Sequence, residues 1–195
     1  GGHYLSAMAI YAAATGNEEA ARRMNYMVDE LALCQEANGN GYVGGVPDSD
    51  RIWGALAEGN LRPLRRAWVP WYNVDKTFVG LRDAWVHGKN EKAKEVLIKL
   101  ADWCETVVSD LSEDQMQRML DQEHGGMNAS LADVYVITGD EKYLELAKRF
   151  SHRQLLDPMA EQRDTLDNLH ANTQVPKAVG FQRIAKLSGD EKYAE

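Results

Sequence analysis

Four short turns, spaced at near-regular intervals, constrain the fold of this chain more than any other feature. They read ATGNEEA, VHGKNEKA, ITGDEKYLE and LSGDEKYAE, and their glycines are Gly16, Gly88, Gly139 and Gly189. A glycine accepts the left-handed conformation that caps a helix C-terminus, Asn or Asp caps the next N-terminus, and Glu favours the first turn. Each turn therefore predicts the tip of a hairpin of two helices.

The glycines lie 72, 51 and 50 residues apart. This spacing indicates a repeat of about 50 residues with one insertion of about 20. The predicted first helices of the hairpins span residues 4–15, 72–87, 127–138 and 174–187, and the predicted second helices span 17–37, 90–109, 140–156 and 190 onward. No stretch alternates apolar and polar residues for long enough to predict a sheet. The sequence thus predicts an all-α array of helical hairpins, a repeat architecture.

The longest connection, residues 38–71, holds six of the sixteen glycines and three tryptophans. A structureless loop of this length is unusual unless it is functional or disordered, and tryptophans are rare in disordered segments. We therefore expect short helical turns within it, for instance around IWGALAEG at residues 52–59.

The overall charge restricts the class of partner. The 195 residues carry a formal net charge of −8, which argues against nucleic acid or an anionic membrane surface as a partner. No apolar run approaches the roughly 20 residues needed to cross a bilayer. The chain begins with Gly1 rather than Met and stops at Glu195 inside a helical pattern, so we expect it to be a segment of a longer protein.

The two cysteines, Cys34 and Cys104, are too few for a disulfide framework or a cysteine-rich zinc site. Each follows apolar residues at helical spacing. We therefore expect both to be small buried residues of the core.

Polar residues that helix packing does not explain gather at the starts of the predicted first helices. The segments are GGHYLSA (1–7), VPWYNVDK (69–76), EHGGMN (123–128) and NLHANTQVPK (168–177). Tight turns and long connections must lie at opposite ends of a hairpin array, so these segments are expected to meet at one mouth. The residues predicted to line this cleft are His3, Trp71, Tyr72, Asp75, His124, His170, Asn172 and Gln174.

Three of these segments also have a structural interpretation. His3 is also explained as a polar residue near a terminus, and Trp71 and Tyr72 as core aromatics. Asn172 or Thr173 would then cap the helix that Pro176 helps to start, since proline is tolerated in a first turn.

The residue types of the predicted cleft indicate a class of ligand. Aromatic faces, amides, histidines and carboxylates, without an Arg or Lys cluster or a phosphate-binding glycine loop, suit a neutral polyhydroxylated ligand. Sugars offer C–H faces for stacking on Trp and Tyr, and hydroxyls for His, Asn, Gln and Asp. The residue types of this predicted cleft therefore favour a carbohydrate as the partner.

The motifs GGHYLSA, VPWYNVDKTFVGLRDAW, GGMN, LLDPM and DNLHANTQVPK resemble, in order and spacing, the catalytic domain of the β-L-arabinofuranosidase-type glycoside hydrolases, family 127 and relatives. The resemblance extends over essentially all of residues 1–195. It implies an (α/α)6 toroid, of which this incomplete domain would hold about three and a half of six hairpins. It also implies that His3 and His170 line a sugar pocket and that the WYN and HANTQ segments form its walls.

The resemblance implies retaining hydrolysis of arabinose-containing or other plant-type glycans, with a zinc-bound cysteine thiolate as nucleophile and a glutamate as acid/base. The family's motifs for these groups, of the types GGNS…E, ESCN and CC-G, do not occur in this sequence. We therefore expect no catalytic residue, metal ligand or cofactor within the chain, and zinc only in the full-length protein. Cys34 and Cys104 match neither cysteine motif.

Two positions depart from the family pattern. Asp75 replaces the histidine of WYN-x-HK, and Ala129 follows GGMN where the family has Glu. Both departures concern the predicted mouth and leave two alternatives to an active arabinofuranosidase. One is a catalytically lapsed carbohydrate-binding member, and the other is a different toroidal sugar enzyme, such as an epimerase or an unsaturated-uronyl hydrolase.

Overall fold

The computed structural model describes residues 1–121 and 125–194, and over these ranges all regular structure is helical. The helices are α1 (Gly2–Thr15), α2 (Glu18–Asn38), α3 (Ser49–Ala57), α4 (Arg62–Arg66), α5 (Pro70–Val86), α6 (Glu91–Val108), α7 (Glu113–Leu120), α8 (Met127–Thr138), α9 (Glu141–Arg149), α10 (Arg153–Ala160) and α11 (Ala171–Ser188), followed by a 3₁₀ turn (Glu191–Tyr193). The predicted all-α class is confirmed. None of these helices combines the length and the apolarity that a membrane span requires.

Three of the four predicted turns have the expected capping geometry. Gly16, Gly139 and Gly189 have φ values of 70°, 74° and 67°, and their backbone N–H groups donate to carbonyls of the preceding helices. The side chains of the residues that follow, Asn17, Asp140 and Asp190, accept backbone N–H groups of the next helix or turn. These local bonds explain why the sequence alone located the hairpin tips.

The second turn uses its glycine differently. Lys89, with φ 56°, is the left-handed residue, whereas Gly88 permits close packing. A Cβ at Gly88 would lie 2.2 Å from the Sδ of Met24. The N-cap role of the next residue is kept, because Asn90 Oδ1 accepts the N–H of Ala93 at 2.9 Å.

The described chain divides into two compact units. Unit 1 comprises Gly1–Ser49 and Asn73–Thr106, and unit 2 comprises Asp50–Tyr72 and Val107–Glu195. Unit 1 thus contains the hairpin of α1 and α2 and most of α5 and α6. Unit 2 contains most of α3, together with α4 and α7 to α11.

In unit 1, the connection after α2 is packed against α6. The ring of Tyr42 stacks on that of Trp103 with centroids 4.6 Å apart. The buried Gln35 donates its amide to the carbonyls of Gly41 and Val96, at 2.7 and 3.0 Å. These contacts bind the start of the long connection to the helical core.

In unit 2, an aromatic cluster forms around Trp71. Its ring centroid lies 4.9 Å from that of Trp53 on α3 and 5.1 Å from that of Phe150. The predicted helix around residues 52–59 is confirmed as α3. It buries Ile52, Trp53 and Leu56, and this burial explains why a glycine-rich segment is ordered.

The predicted helix over 140–156 is wrong in its second half, because α9 ends at Arg149 and α10 begins at Arg153. Gln117 of α7 stabilises the break. Its Nε2 donates to the carbonyl of Ser151 at 3.1 Å, and its Oε1 accepts the N–H of Arg153 at 2.8 Å. A side chain more than 30 residues away in sequence therefore replaces the hydrogen bonds of a continuous helix.

On α8, Leu131 is fully buried, as its helical position predicts. Tyr135, one turn later on the same helix, is only partly buried. Its hydroxyl lies 3.1 Å from Oε1 of Glu141, and this hydrogen bond raises the pKa of Tyr135. The phenol therefore reaches the protein surface.

Candidate functional site

The GGH segment at the start of α1 lies directly against α5 within unit 1. A Cβ at Gly2 would lie 1.8 Å from the carbonyl oxygen of Lys76, and a Cβ at Gly80 would lie 2.8 Å from the carbonyl oxygen of Gly2. Only residues without a Cβ permit this approach. The contact brings the exposed His3, on the first turn of α1, to the helix that carries Asp75.

Asp75 is buried, with 1 % of its surface exposed. Its Oδ2 forms an ion pair with Nζ of Lys76 at 2.7 Å. The substitution that distinguishes this chain from the family pattern therefore places a paired carboxylate inside unit 1. Of the two predicted site residues in unit 1, His3 faces solvent and Asp75 does not.

Residues 125–128, the described part of the EHGGMN segment, meet α11 in unit 2 through a second pair of glycines. The N–H of Gly125 donates to the carbonyl of Thr173 at 3.2 Å. A Cβ at Gly180 would lie 2.1 Å from Oδ1 of Asn128, whose Nδ2 donates to the carbonyl of Lys177 at 3.0 Å. The paired glycines therefore allow α8 and α11 to approach closely and be hydrogen-bonded to each other.

Lys177, at the end of the HANTQVPK segment, joins three elements of unit 2. The side chain is buried, and its Nζ lies 3.0 Å from the carbonyl oxygen of Leu120 and 2.9 Å from Nδ1 of His152. Nε2 of His152 lies 3.1 Å from Oδ1 of Asp121. An ammonium only donates hydrogen bonds, so Nδ1 accepts, and the proton of a neutral His152 lies on Nε2 and is donated to Asp121.

The electrostatics agree with this tautomer. Burial lowers the pKa of His152, and the positive charge of Lys177 lowers it further, against the opposing hydrogen bond to Asp121. A protonated imidazole would present an N–H to the ammonium. The neutral form of His152 is therefore the one that fits the site.

The start of α11 carries three of the predicted site residues. His170 is the exposed N-cap residue, and its side chain makes no capping hydrogen bond. Asn172 is exposed and Gln174 is half-buried. Asn172 and Thr173 lie inside the helix, so the alternative in which one of them is the N-cap is wrong.

Trp71 lies in the core of unit 2, with 1 % of its surface exposed, and its Nε1 donates to Sδ of Met119 at 3.1 Å. It lines a cavity of about 10 Å³ together with Gly125, Asn128 and Lys177. Such a space holds at most about one water molecule, so no sugar ring enters it. Tyr72, the next residue, is half-buried. His124 lies outside the described residues.

The expectation that both cysteines are buried is wrong for one of them. Cys104 is buried, but Cys34 is exposed on α2. Gln35 takes the buried position in this turn, because its amide satisfies the carbonyls of Gly41 and Val96. Across residues 1–121 and 125–194, no three His, Cys, Asp or Glu side chains gather as metal ligands. These described residues therefore do not fit the zinc that the resemblance implies.

The sequence patterns did not reveal the roles of Lys177 and His152. The signal for Lys177 was its position, because it precedes the buried Gly180, Phe181 and Ile184 at helical spacing. A lysine on the buried side of a helix requires a partner. No sequence pattern indicated that His152 is buried, because its burial depends on the break between α9 and α10.

Within each unit, two first helices of hairpins approach each other through glycines, and this packing defines an all-α repeat class. A family model described as the β-L-arabinofuranosidase, GH127 catalytic domain, matches residues 1–195. The chain belongs to this family, and the resemblance inferred from the sequence motifs is confirmed.

A solved structure described as the GH127 β-arabinofuranosidase BT3674 is similar to this chain. The TM-score is 0.65 with 20 % sequence identity over 97 % of this chain, which spans 31 % of the length of that protein. At this identity the likeness concerns the fold alone. A comparison with curated proteins gave no match.

Proposed function

We propose that this chain forms part of the catalytic domain of a glycoside hydrolase that acts on arabinose-containing or other plant-type glycans. The observation that carries the proposal is the match of the GH127 catalytic-domain family over residues 1–195. The polar entrances of α1 and α11 support it, because histidine and amide side chains are suited to sugar hydroxyls. A net charge of −8 also suits a neutral ligand better than a polyanion.

We further propose that the hairpins belong to an (α/α)6 toroid, of which residues 1–195 are an incomplete domain. The repeat of capped turns and the span of 31 % of the similar solved structure support this proposal. A structure of the full-length protein tests it. Hairpins that continue the repeat and close into a ring are the expected result, whereas an open array would contradict it.

Within this domain we propose that some of the predicted site residues contact the sugar and that others support them. His3, His170 and Asn172 are exposed, and Tyr72 and Gln174 are half-buried, so these five are suited to contact a sugar directly. Trp71 and Asp75 are buried and would support the pocket from behind. The full proposed set is His3, Trp71, Tyr72, Asp75, His124, His170, Asn172 and Gln174.

We propose that the reaction retains anomeric configuration and that this chain supplies binding groups rather than bond-breaking groups. A retaining mechanism requires a nucleophile and an acid/base on opposite sides of the anomeric carbon. The family motifs that would carry them do not occur in this sequence. The contribution of the chain is therefore to hold and orient the sugar.

The test is the release of L-arabinose from an aryl β-L-arabinofuranoside by the full-length protein and by its His170→Ala variant. We expect the variant to lose about ten-fold or more in kcat/KM with an unchanged free energy of unfolding, because its imidazole makes no capping bond. Lys186→Ala, an exposed change on the same helix, is the matched control.

Sugar binding without hydrolysis would instead support the catalytically lapsed alternative. Loss of stability in His170→Ala would assign this histidine a structural role.

A further inference from the structure

Trp68 is the most exposed large apolar side chain of the described chain. Its exposed fraction is 89 %, and the next highest is 62 % at Tyr26. Trp71, three residues later, is 1 % exposed. The connection into α5 therefore directs one indole into the core and the other away from it.

The residue between the exposed indole and α5 is strained. Val69 has a φ of 42°, a region that a β-branched residue rarely adopts. It also precedes Pro70, and proline restricts the preceding residue to extended conformations with negative φ. Strain of this kind persists only where the surrounding structure imposes it, and it occurs preferentially at functional sites. The strain at Val69 therefore suggests that the outward position of Trp68 has a function.

Three arginines precede Trp68 by a few residues and lie in the same compact unit. Arg62, Arg65 and Arg66 belong to the five-residue helix α4 and are all exposed. Nη2 of Arg65 donates to the carbonyl of Arg118 at 3.0 Å, which fixes the direction of its guanidinium. Residues 59–74 contain no Asp or Glu, in a chain whose net charge is −8. The sequence patterns had indicated no arginine cluster, and α4 forms one.

We propose that Trp68, Arg62, Arg65 and Arg66 form a subsite for a carboxylate-bearing sugar, a uronic acid residue within a glycan. The indole offers a flat apolar face for the C–H face of a sugar ring, and a guanidinium binds a carboxylate through two parallel hydrogen bonds. An exposed tryptophan that follows three exposed arginines within the same compact unit suits such an amphipathic anion better than a neutral sugar. The proposal rests on the proposed carbohydrate function and specifies its substrate class.

The experiment uses the full-length protein and three substrates. These are an arabinose-containing oligosaccharide that carries a uronic acid, the same oligosaccharide with its carboxyl group reduced to the alcohol, and an aryl β-L-arabinofuranoside. We expect the wild type to prefer the uronate form over the reduced form by about five-fold or more in kcat/KM. Arg66→Gln should abolish this preference. Trp68→Ala should lower kcat/KM at least about five-fold more on the uronate oligosaccharide than on the aryl glycoside.

Tyr26→Ala and Lys186→Ala remove an exposed aromatic and an exposed cation elsewhere and serve as matched controls. Calorimetric binding of the uronate oligosaccharide gives a readout that does not require hydrolysis. If the aryl glycoside is not cleaved but Trp68→Ala still weakens this binding, the hydrolase proposal fails and the subsite stands.

Four results would overturn the subsite. One is that Trp68→Ala and Arg66→Gln behave like the two controls. Another is an equal loss on the uronate and reduced substrates, which would exclude carboxylate recognition. The third is a large drop in the melting temperature of Trp68→Ala, because this side chain would then be covered by protein in the full-length molecule. Tighter binding of single-stranded oligonucleotide than of the uronate oligosaccharide would also reject it.

Discussion

Lys177 carries its side chain into the interior of unit 2, where its ammonium donates to a backbone carbonyl and to an imidazole. A buried charge is tolerated only when hydrogen-bond acceptors surround it. Here the acceptors come from the end of α7 and from the break before α10, so one side chain joins both to the start of α11. The residues proposed to bind sugar on α11 depend on this anchor for their position.

Replacement of Lys177 by Met retains the length of the side chain but removes the ammonium. The carbonyl of Leu120 and Nδ1 of His152 then lose this donor, and we expect the free energy of unfolding to fall by about 1–3 kcal/mol. Urea unfolding of the full-length protein measures the change. Lys186→Met, on the exposed side of the same helix, should stay within about 0.5 kcal/mol of the wild type. Equal stability of both variants would show that desolvation offsets the hydrogen bonds of Lys177.

The state of His152 predicts a pH dependence. Burial and the charge of Lys177 lower the pKa of His152 in the folded protein from its ordinary value of 6.5. A histidine with a lowered folded pKa contributes stability that is fully present above 6.5 and is lost as the pH falls through the folded pKa. His152→Gln should therefore reduce the loss of stability on acidification from about pH 7.5 to about pH 5. Parallel stability curves for the wild type and the variant would contradict the neutral tautomer.

At the scale of elements, two helix pairs use the same packing device. Gly2 and Gly80 allow α1 to approach α5, and Gly125 and Gly180 allow α8 and α11 to approach each other. In both pairs, one glycine lies at the start of a helix and the other lies inside the neighbouring helix. The paired glycines before the predicted site residues therefore set the distance between helices.

Gly180→Ala tests this packing. The new Cβ would lie 2.1 Å from Oδ1 of Asn128, so Asn128 must move and lose its bond to the carbonyl of Lys177. We expect a destabilisation of about 1–3 kcal/mol, as for overpacked cores. Gly54→Ala in α3 is the control, because its Cβ would meet nothing within 4 Å, and it should stabilise by up to about 1 kcal/mol. A stabilising Gly180→Ala, measured by urea unfolding, would disprove the close approach.

At the scale of the whole molecule, the chain spans 31 % of the solved structure to which it is similar, so hydrolysis is a property to seek in the full-length protein. We expect residues 1–195 alone to release no L-arabinose from an aryl β-L-arabinofuranoside, because the family motifs for nucleophile and acid/base are absent from them. Parallel assays of this chain and the full-length protein measure the difference. Turnover by residues 1–195 that Cys34→Ser or Cys104→Ser abolishes would contradict this prediction.

The sequence by itself determined most of the hairpin helices of this protein and its family. The predicted helix 127–138 coincides with α8, and the turn at Gly139 is capped as expected. Such features are local, because a glycine and the capping residue beside it satisfy backbone groups only a few positions away. The order of motifs identified the family for the same reason, since it is a property of the linear sequence.

Only the tertiary structure decided which side chains are buried. Trp71 enters a core while Trp68 does not, and Cys34 is exposed where its apolar neighbours predicted burial. Lys177 is buried because two acceptors from distant parts of the chain meet its ammonium. Burial depends on partners that are remote in sequence, and a local pattern does not identify those partners. The sequence therefore indicated where the candidate site residues lie along the helices, and the packing determined which of them reach solvent.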